Sequence, residues 1–117
     1  MASDLVPTCV EALDKGLRSS GFRSLARVLG TARATDVAVA LHTGRVAVIR
    51  CVDHAATADH TALATMLAEG DFVWAGLVYG EREGSETVGL VETFHVSELD
   101  RLVARLLELR EAFGEAG

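Results

Sequence analysis

Two apolar runs joined by Thr43-Gly44 place the strongest constraint on how this chain can fold. The runs cover residues 37–41 and 46–52, and apart from Arg50 both faces of each predicted strand carry apolar side chains. A hairpin with one solvated face would alternate apolar with polar residues, so strands of this kind are typical of the middle of a sheet covered on both sides. A two-residue connection that contains glycine favours a tight turn.

Helices and further strands are predicted around this hairpin. Residues 22–29 fit an edge strand or a helical turn, and a strand is favoured because Gly21 and Gly30 bracket a short apolar run. Ser97-Glu98-Leu99-Asp100 resembles a capping box at the start of the last helix. The other predicted elements are helices over 5–20 and 57–69 and strands over 72–79 and 87–96. The predicted order is α-β-β-β-α-β-β-α, a single α/β domain (residues 1–117) whose mixed sheet is flanked by helices.

The composition is that of a globular domain. Half of the 117 residues are hydrophobic and 24% are charged, and no run approaches the roughly 20 apolar residues that a membrane helix needs. No basic segment precedes an apolar run at the N-terminus, so we expect a cytoplasmic protein without a membrane partner. Cys9 and Cys51 lack the spacing of a metal knuckle, which predicts two buried thiols in a reducing compartment rather than a disulfide.

Charge is distributed unevenly along the chain. The net charge is −6, which argues against general attraction to nucleic acid. Residues 1–50 nevertheless carry seven basic and four acidic side chains, whereas residues 51–117 carry four basic and thirteen acidic ones. Between residues 15 and 35 there are five basic side chains and no acid. This pattern is compatible with a local strip that binds nucleic acid and also with a helix end whose charged side chains are merely solvated. The basic strip consists of Lys15, Arg18, Arg23, Arg27 and Arg33.

The order of elements, with Asp36 opening the hairpin, resembles the restriction-endonuclease-like (PD-(D/E)xK) superfamily, especially its Mrr-like branch of small nucleases. The resemblance runs from Gly21-Phe22, through the hairpin that ends in VIRC, to the terminal segment SELDRLVARLLEL. In that family the hairpin supplies an aspartate, and the next strand supplies Glu/Gln-x-Lys. The two carboxylates hold a divalent cation, and the lysine orients or activates the attacking water.

The family pattern is incomplete in this chain. Asp36 matches the first acid, and if Arg50 takes the place of the lysine, Val48 stands where the second acid belongs. Arginine stays protonated and valine cannot ligate a metal. The resemblance therefore implies a degenerate catalytic pair, Asp36 and Arg50, with at most a weak magnesium site at Asp36. As an alternative, Asp36 is an ordinary residue at the entry of a strand.

Other acids and histidines of the chain are also candidate metal ligands. Glu11, Asp14 or Asp53 could rebuild a magnesium site, in which case the chain would be a metal-dependent nuclease. Asp53-His54 and Asp59-His60 could bind zinc if the turn between them folded back. A helix start with Thr57 as its cap and solvent-facing histidines explains that segment without metal, so no cofactor is predicted.

These patterns support three functional hypotheses. The first is a catalytically degenerate endonuclease-like domain that binds nucleic acid, or a nucleic-acid-processing protein, through the basic strip, with Arg45 and Arg50 as further contacts. The second is a small homodimeric protein-binding module similar to the Roadblock/LC7 regulators or to acidic secretion chaperones, which the acidic net charge favours. The third is an active nuclease with a rearranged site.

Overall fold

One five-stranded sheet forms the middle layer of the fold. The computed structural model describes residues 5–22, 26–30, 34–42, 44–52, 57–80 and 91–116, with side chains described for 8–22, 35–41, 44–52, 59–80 and 91–112. The elements in chain order are helix α1 (Leu5–Ser19), strands β1 (Ala26–Gly30), β2 (Ala34–His42) and β3 (Arg45–Val52), helix α2 (Thr57–Ala68), strands β4 (Trp74–Tyr79) and β5 (Glu92–His95), a 3-10 turn (Val96–Glu98) and helix α3 (Leu99–Ala116).

The sheet is mixed, with the strands in the spatial order β1-β2-β3-β4-β5. β1, β2 and β3 pair antiparallel, whereas β3, β4 and β5 pair parallel. Parallel neighbours cannot be joined by a tight turn, and α2 supplies the crossover from β3 to β4. The prediction of an α/β domain with a mixed sheet flanked by helices is confirmed.

The turn between β2 and β3 is as short as the sequence predicts. β2 ends at His42 and β3 begins at Arg45, and Gly44 has a φ of +75°, which a residue with a side chain rarely adopts. The pairing shifts by one residue between Ala40 and His42. Beyond that irregularity the register is regular, and it sets Asp36 opposite Arg50.

The two faces of the sheet bury different sets of residues. α1 and α3 cover one face, and α2 covers the other by packing on β3 and β4. β3 contributes to both cores, because Ile49 faces α1 and Val48 faces α2. The predicted burial on both faces is confirmed for β3. It is wrong for the end of β2, where Ala40 is exposed because α2 lies over β3 and β4 rather than over β2.

The predictions for the first strand and the last strand can be compared with the structure over part of their length. β1 begins at Ala26, so the preferred strand assignment is confirmed for 26–29, while residues 23–25 lie outside the described part of the chain. Phe22 is not in the strand; it is buried, and the Arg110 guanidinium lies 4.4 Å from the centre of its ring. β5 covers only Glu92–His95, and the predicted residues 87–90 are also outside the described residues.

A capping box is present two residues earlier than predicted, at the start of the 3-10 turn that precedes the last helix. The capping box begins at His95, not at Ser97. Nδ1 of His95 accepts from the backbone N–H of Ser97 at 3.1 Å, and Oε1 of Glu98 accepts from the backbone N–H of His95 at 3.1 Å. Glu98 reaches back across the 3-10 turn that precedes α3. The capping box therefore uses a glutamate, the usual partner in this motif, instead of the aspartate of the predicted box.

The predicted burial of both cysteines is confirmed, and no disulfide joins Cys9 and Cys51. Trp74 is buried, and Tyr79 at the end of β4 is half-buried. Among the described residues, no helix has both the length and the apolar character that a membrane crossing requires.

Candidate functional site

A buried ion pair joins β2 and β3 on the face that α2 covers. Arg50 donates from Nε to Oδ1 of Asp36 at 2.6 Å and from Nη2 to Oδ2 at 2.8 Å. The side chain of Asp36 is 5% exposed and that of Arg50 is 17% exposed. Both oxygens of a buried carboxylate are therefore held by one guanidinium, in the two-point geometry that makes arginine–carboxylate pairs strong.

A second carboxylate reaches the same guanidinium from α2. Asp59 lies in the first turn of the helix, and its Oδ1 accepts from Nη1 of Arg50 at 3.1 Å. The hydrogen bonds that Arg50 donates to Asp36 raise the pKa of Arg50 above its ordinary value, burial opposes this rise, and Asp59 adds to it. Arg50 is thus a permanent cation between two acids. Sequence reasoning missed Asp59 in this role, because nothing local indicates that the start of α2 meets the hairpin.

The position of this guanidinium bears on the metal site that the family resemblance implies. Within the part of the chain that the structure describes, no three His, Cys, Asp or Glu side chains stand close enough together to hold a metal ion. Val48 is fully buried in the core under α2. Glu11 and Asp14 lie on α1, which packs on the opposite face of the sheet from Asp36. Asp53 is outside the described residues.

His60 was predicted to face solvent, but it is buried. Its residue is 6% exposed, and it lies one helical turn before Leu63, which is buried against the sheet. The helix therefore turns His60 inward, next to Asp59. Neither ring nitrogen of His60 has a hydrogen-bond partner among the described residues. Asp53 and His54, the other half of the possible zinc site, lie outside them.

The predicted basic strip is only partly within the described side chains. Lys15 is exposed on α1, and Arg18 is exposed but donates from Nε to both carboxylate oxygens of Asp14, at 2.9 and 3.0 Å. Arg45 is exposed at the start of β3. The strip is thus accessible at its α1 end and partly neutralised there. The side chains of three predicted members are not among those described: Arg23, Arg27 and Arg33.

A second polar network lies on the opposite face of the sheet. Nε1 of Trp74 donates to Oε2 of Glu92 at 2.7 Å, and Arg105 on α3 donates to the same carboxylate from Nε and Nη2 at 3.1–3.2 Å. The ring of Trp74 also lies 6.3 Å from that of Phe94. This network ties β4, β5 and α3 together. Sequence reasoning missed it because its three polar members come from three separate elements.

No protein-family model, no curated protein and no solved structure matches this sequence or its fold.

Proposed function

We propose that this chain is a non-hydrolytic binding module on an endonuclease-like scaffold, in which an ion pair stands where a nuclease would hold its metal. The observation that carries the proposal is the two-point contact between Arg50 and Asp36. Asp36 and Arg50 lie on adjacent strands of the hairpin, at the positions on which the family resemblance rests.

The chemistry of the pair supports a site without hydrolytic activity. A divalent cation would need the carboxylate oxygens of Asp36, and both already accept hydrogen bonds from Arg50. Magnesium binds through oxygen ligands and prefers several of them in an octahedral arrangement. Val48 offers no oxygen, and a guanidinium cannot take a proton from water. Arg50 therefore supplies the positive charge between Asp36 and Asp59 that a metal would supply in an active enzyme.

The proposed ligand of the module is nucleic acid. The support for it is the run of basic side chains between residues 15 and 35 in an otherwise acidic chain. Lys15 and Arg18 are exposed at one end of that run. Contacts between such side chains and phosphates release counterions, so the affinity should fall steeply as salt is added.

A cleavage assay tests the absence of hydrolysis. Purified protein incubated with double- and single-stranded DNA and RNA, in millimolar Mg²⁺ or Mn²⁺, should leave every substrate intact. Scission that depends on the added metal and disappears in Asp36→Ala would contradict the proposal and establish the rearranged nuclease instead. Scission that survives in Asp36→Ala would point to a contaminating nuclease, and the assay would be repeated with protein purified by a second route.

Fluorescence anisotropy with a labelled duplex tests the binding surface. We expect binding at about 20 mM salt that weakens by at least about tenfold at 200 mM. The double substitution Arg23→Glu/Arg27→Glu should abolish it. Arg82→Glu/Arg101→Glu, outside the basic run, changes the net charge equally and should retain most of the affinity.

Failure to bind any nucleic acid at low salt would contradict the proposed ligand. Light scattering on the same preparation then distinguishes the remaining hypothesis. A tight homodimer without nucleic-acid affinity would favour the protein-binding module, for which the acidic net charge of −6 is the supporting observation.

A further inference from the structure

We propose that Ser97 is a reactive nucleophile that His95 activates, and that neutral activated esters transfer their acyl group to its hydroxyl. This modification site lies at the junction of β5 and α3, apart from the Asp36–Arg50 pair and from the basic strip. It does not depend on the proposed binding of nucleic acid. Both residues also take part in the cap of the 3-10 turn.

The geometry of the two side chains fixes which of them donates. Oγ of Ser97 lies 2.8 Å from Nδ1 of His95, and the backbone N–H of Ser97 donates to the same nitrogen at 3.1 Å. Since a backbone N–H can only donate, Nδ1 carries a lone pair, and the proton of the neutral ring lies on Nε2. The Ser97 hydroxyl is therefore the donor in the 2.8 Å contact. A serine hydroxyl that donates to an imidazole lone pair is the arrangement in which histidine activates a nucleophile.

The imidazole of His95 is held by its neighbours, and the hydroxyl that it faces is open to solvent. Tyr79 and His95 are paired at the ends of the parallel strands β4 and β5, and their rings meet edge to face with 5.4 Å between the centroids. The backbone N–H of His95 donates to Oε1 of Glu98 at 3.1 Å, which fixes the start of the turn. Ser97 is exposed and His95 is half-buried, so a small ester can reach Oγ directly from solvent.

The surroundings of Ser97 define the class of ester. Glu98 and Asp100 follow it in the sequence; Arg101 donates to Oε2 of Glu98 at 2.6 Å, whereas Asp100 is exposed in the first turn of α3. Negative charge beside the nucleophile repels anionic substrates, so we expect neutral esters. Nδ1 must also give up the hydrogen bond from the Ser97 N–H when it takes the hydroxyl proton. Because that loss weakens the base, the ester needs a good leaving group such as a phenolate.

The acyl transfer balances without a further reactant. Oγ of Ser97 attacks the carbonyl carbon of the ester while the hydroxyl proton moves to Nδ1 of His95. The bond between the carbonyl carbon and the leaving oxygen then breaks, and the proton passes from Nδ1 to the departing phenolate or to solvent. The products are a serine ester and one phenol, and nothing is oxidised or reduced.

p-Nitrophenyl acetate, a neutral activated ester, tests the proposal. Wild-type protein should release p-nitrophenolate at least about tenfold faster than Ser97→Ala, because the substitution removes the attacking oxygen. Protein quenched in acid during the reaction should be heavier by one acetyl group, about 42 Da. Peptide mapping should place that group on Ser97, while Ser19, which is also exposed, should stay unmodified.

A second substitution tests the base separately from the cap. Asparagine is a favoured N-cap residue, so His95→Asn can still accept from the backbone N–H of Ser97 but takes no proton from its hydroxyl. With its fold verified by circular dichroism, this variant should release p-nitrophenolate at least about tenfold more slowly than the wild type. The proposal is overturned if either variant reacts as fast as the wild type or if the acetyl group is absent from Ser97. It is equally overturned if protein unfolded in urea is acetylated at Ser97 as fast as the folded protein, because the native contact would then not assist the reaction.

Discussion

At the scale of single residues, the most consequential contact is the ion pair between Asp36 and Arg50. Replacing Arg50 with methionine keeps the length of the stem but leaves a carboxylate that is 5% exposed without its cation. Loss of one partner from a buried pair typically costs about 3–5 kcal/mol. We expect Arg50→Met to lower the free energy of unfolding by about 3 kcal/mol, measured by urea denaturation at pH 7.

Two comparisons make this prediction specific to burial. In Asp36→Val/Arg50→Met both charges of the pair are removed, so the double variant should be more stable than Arg50→Met alone. Arg18→Ala breaks an ion pair in which the arginine side chain is 58% exposed, and it should cost less than about 0.5 kcal/mol. If Arg50→Met lowered the free energy of unfolding as little as Arg18→Ala does, the buried pair would not contribute to stability as argued.

Gly76 gives a second residue-scale prediction. A Cβ atom at this position would lie 2.6 Å from Cη2 and 2.8 Å from Cζ3 of the Trp74 ring, closer than such atoms can approach. We expect Gly76→Ala to destabilise the fold by about 1–3 kcal/mol, because the ring must leave its contact with Glu92 or the strand must shift. Intrinsic fluorescence reports the movement directly, since Trp74 is the only tryptophan. In a protein that also carries Trp74→Leu, Gly76→Ala should change the free energy of unfolding very little. If Gly76→Ala destabilised that variant as much as it does the wild type, the Trp74 ring would not be the obstacle.

At the scale of elements, the 3-10 turn that leads into α3 begins with a cap whose strength changes with pH. The backbone N–H of His95 and the Arg101 guanidinium both hydrogen-bond Glu98, and together they hold the pKa of that carboxyl below its ordinary value of 4.5. A carboxyl whose pKa falls on folding stabilises the native state above 4.5 and loses that contribution as the pH drops further. We therefore expect part of the acid sensitivity of this protein to come from Glu98.

Two substitutions separate the hydrogen bond of the cap from its charge. Glu98→Ala removes both, and its urea midpoint should lie below that of the wild type at pH 7. Glu98→Gln keeps an oxygen that can accept from His95 but does not titrate. The difference between wild type and Glu98→Gln should therefore shrink between pH 5 and pH 3. A difference that stayed constant over this range would place the acid-sensitive group elsewhere.

At the scale of the whole molecule, local patterns predicted the layers but not the contacts between them. The uninterrupted apolar run of β4 and the doubly apolar run of β3 indicated covered strands, and these two pair in parallel under α2. The meeting of Asp59 with Arg50 and the inward turn of His60 depend on how distant elements are set against each other. No local periodicity encodes that placement, because the same helix pattern fits several positions along a sheet.

The sheet topology predicts where the molecule is most resistant to opening. β3 lies in the centre, hydrogen-bonded to β2 on one side and β4 on the other, with apolar cores on both of its faces. β5 is a four-residue strand at one edge of the sheet. β1 lies at the other edge, and its pairing with β2 is irregular between Arg27 and Leu29. Backbone amides in β3 should therefore exchange only through global unfolding, on the order of 100-fold more slowly than those of β5 and β1. Hydrogen exchange read by NMR measures these rates residue by residue. Amides of β3 that exchanged as fast as those of β5 would contradict a central β3, and with it the parallel pairing of β3 and β4 on which the placement of α2 and Asp59 depends.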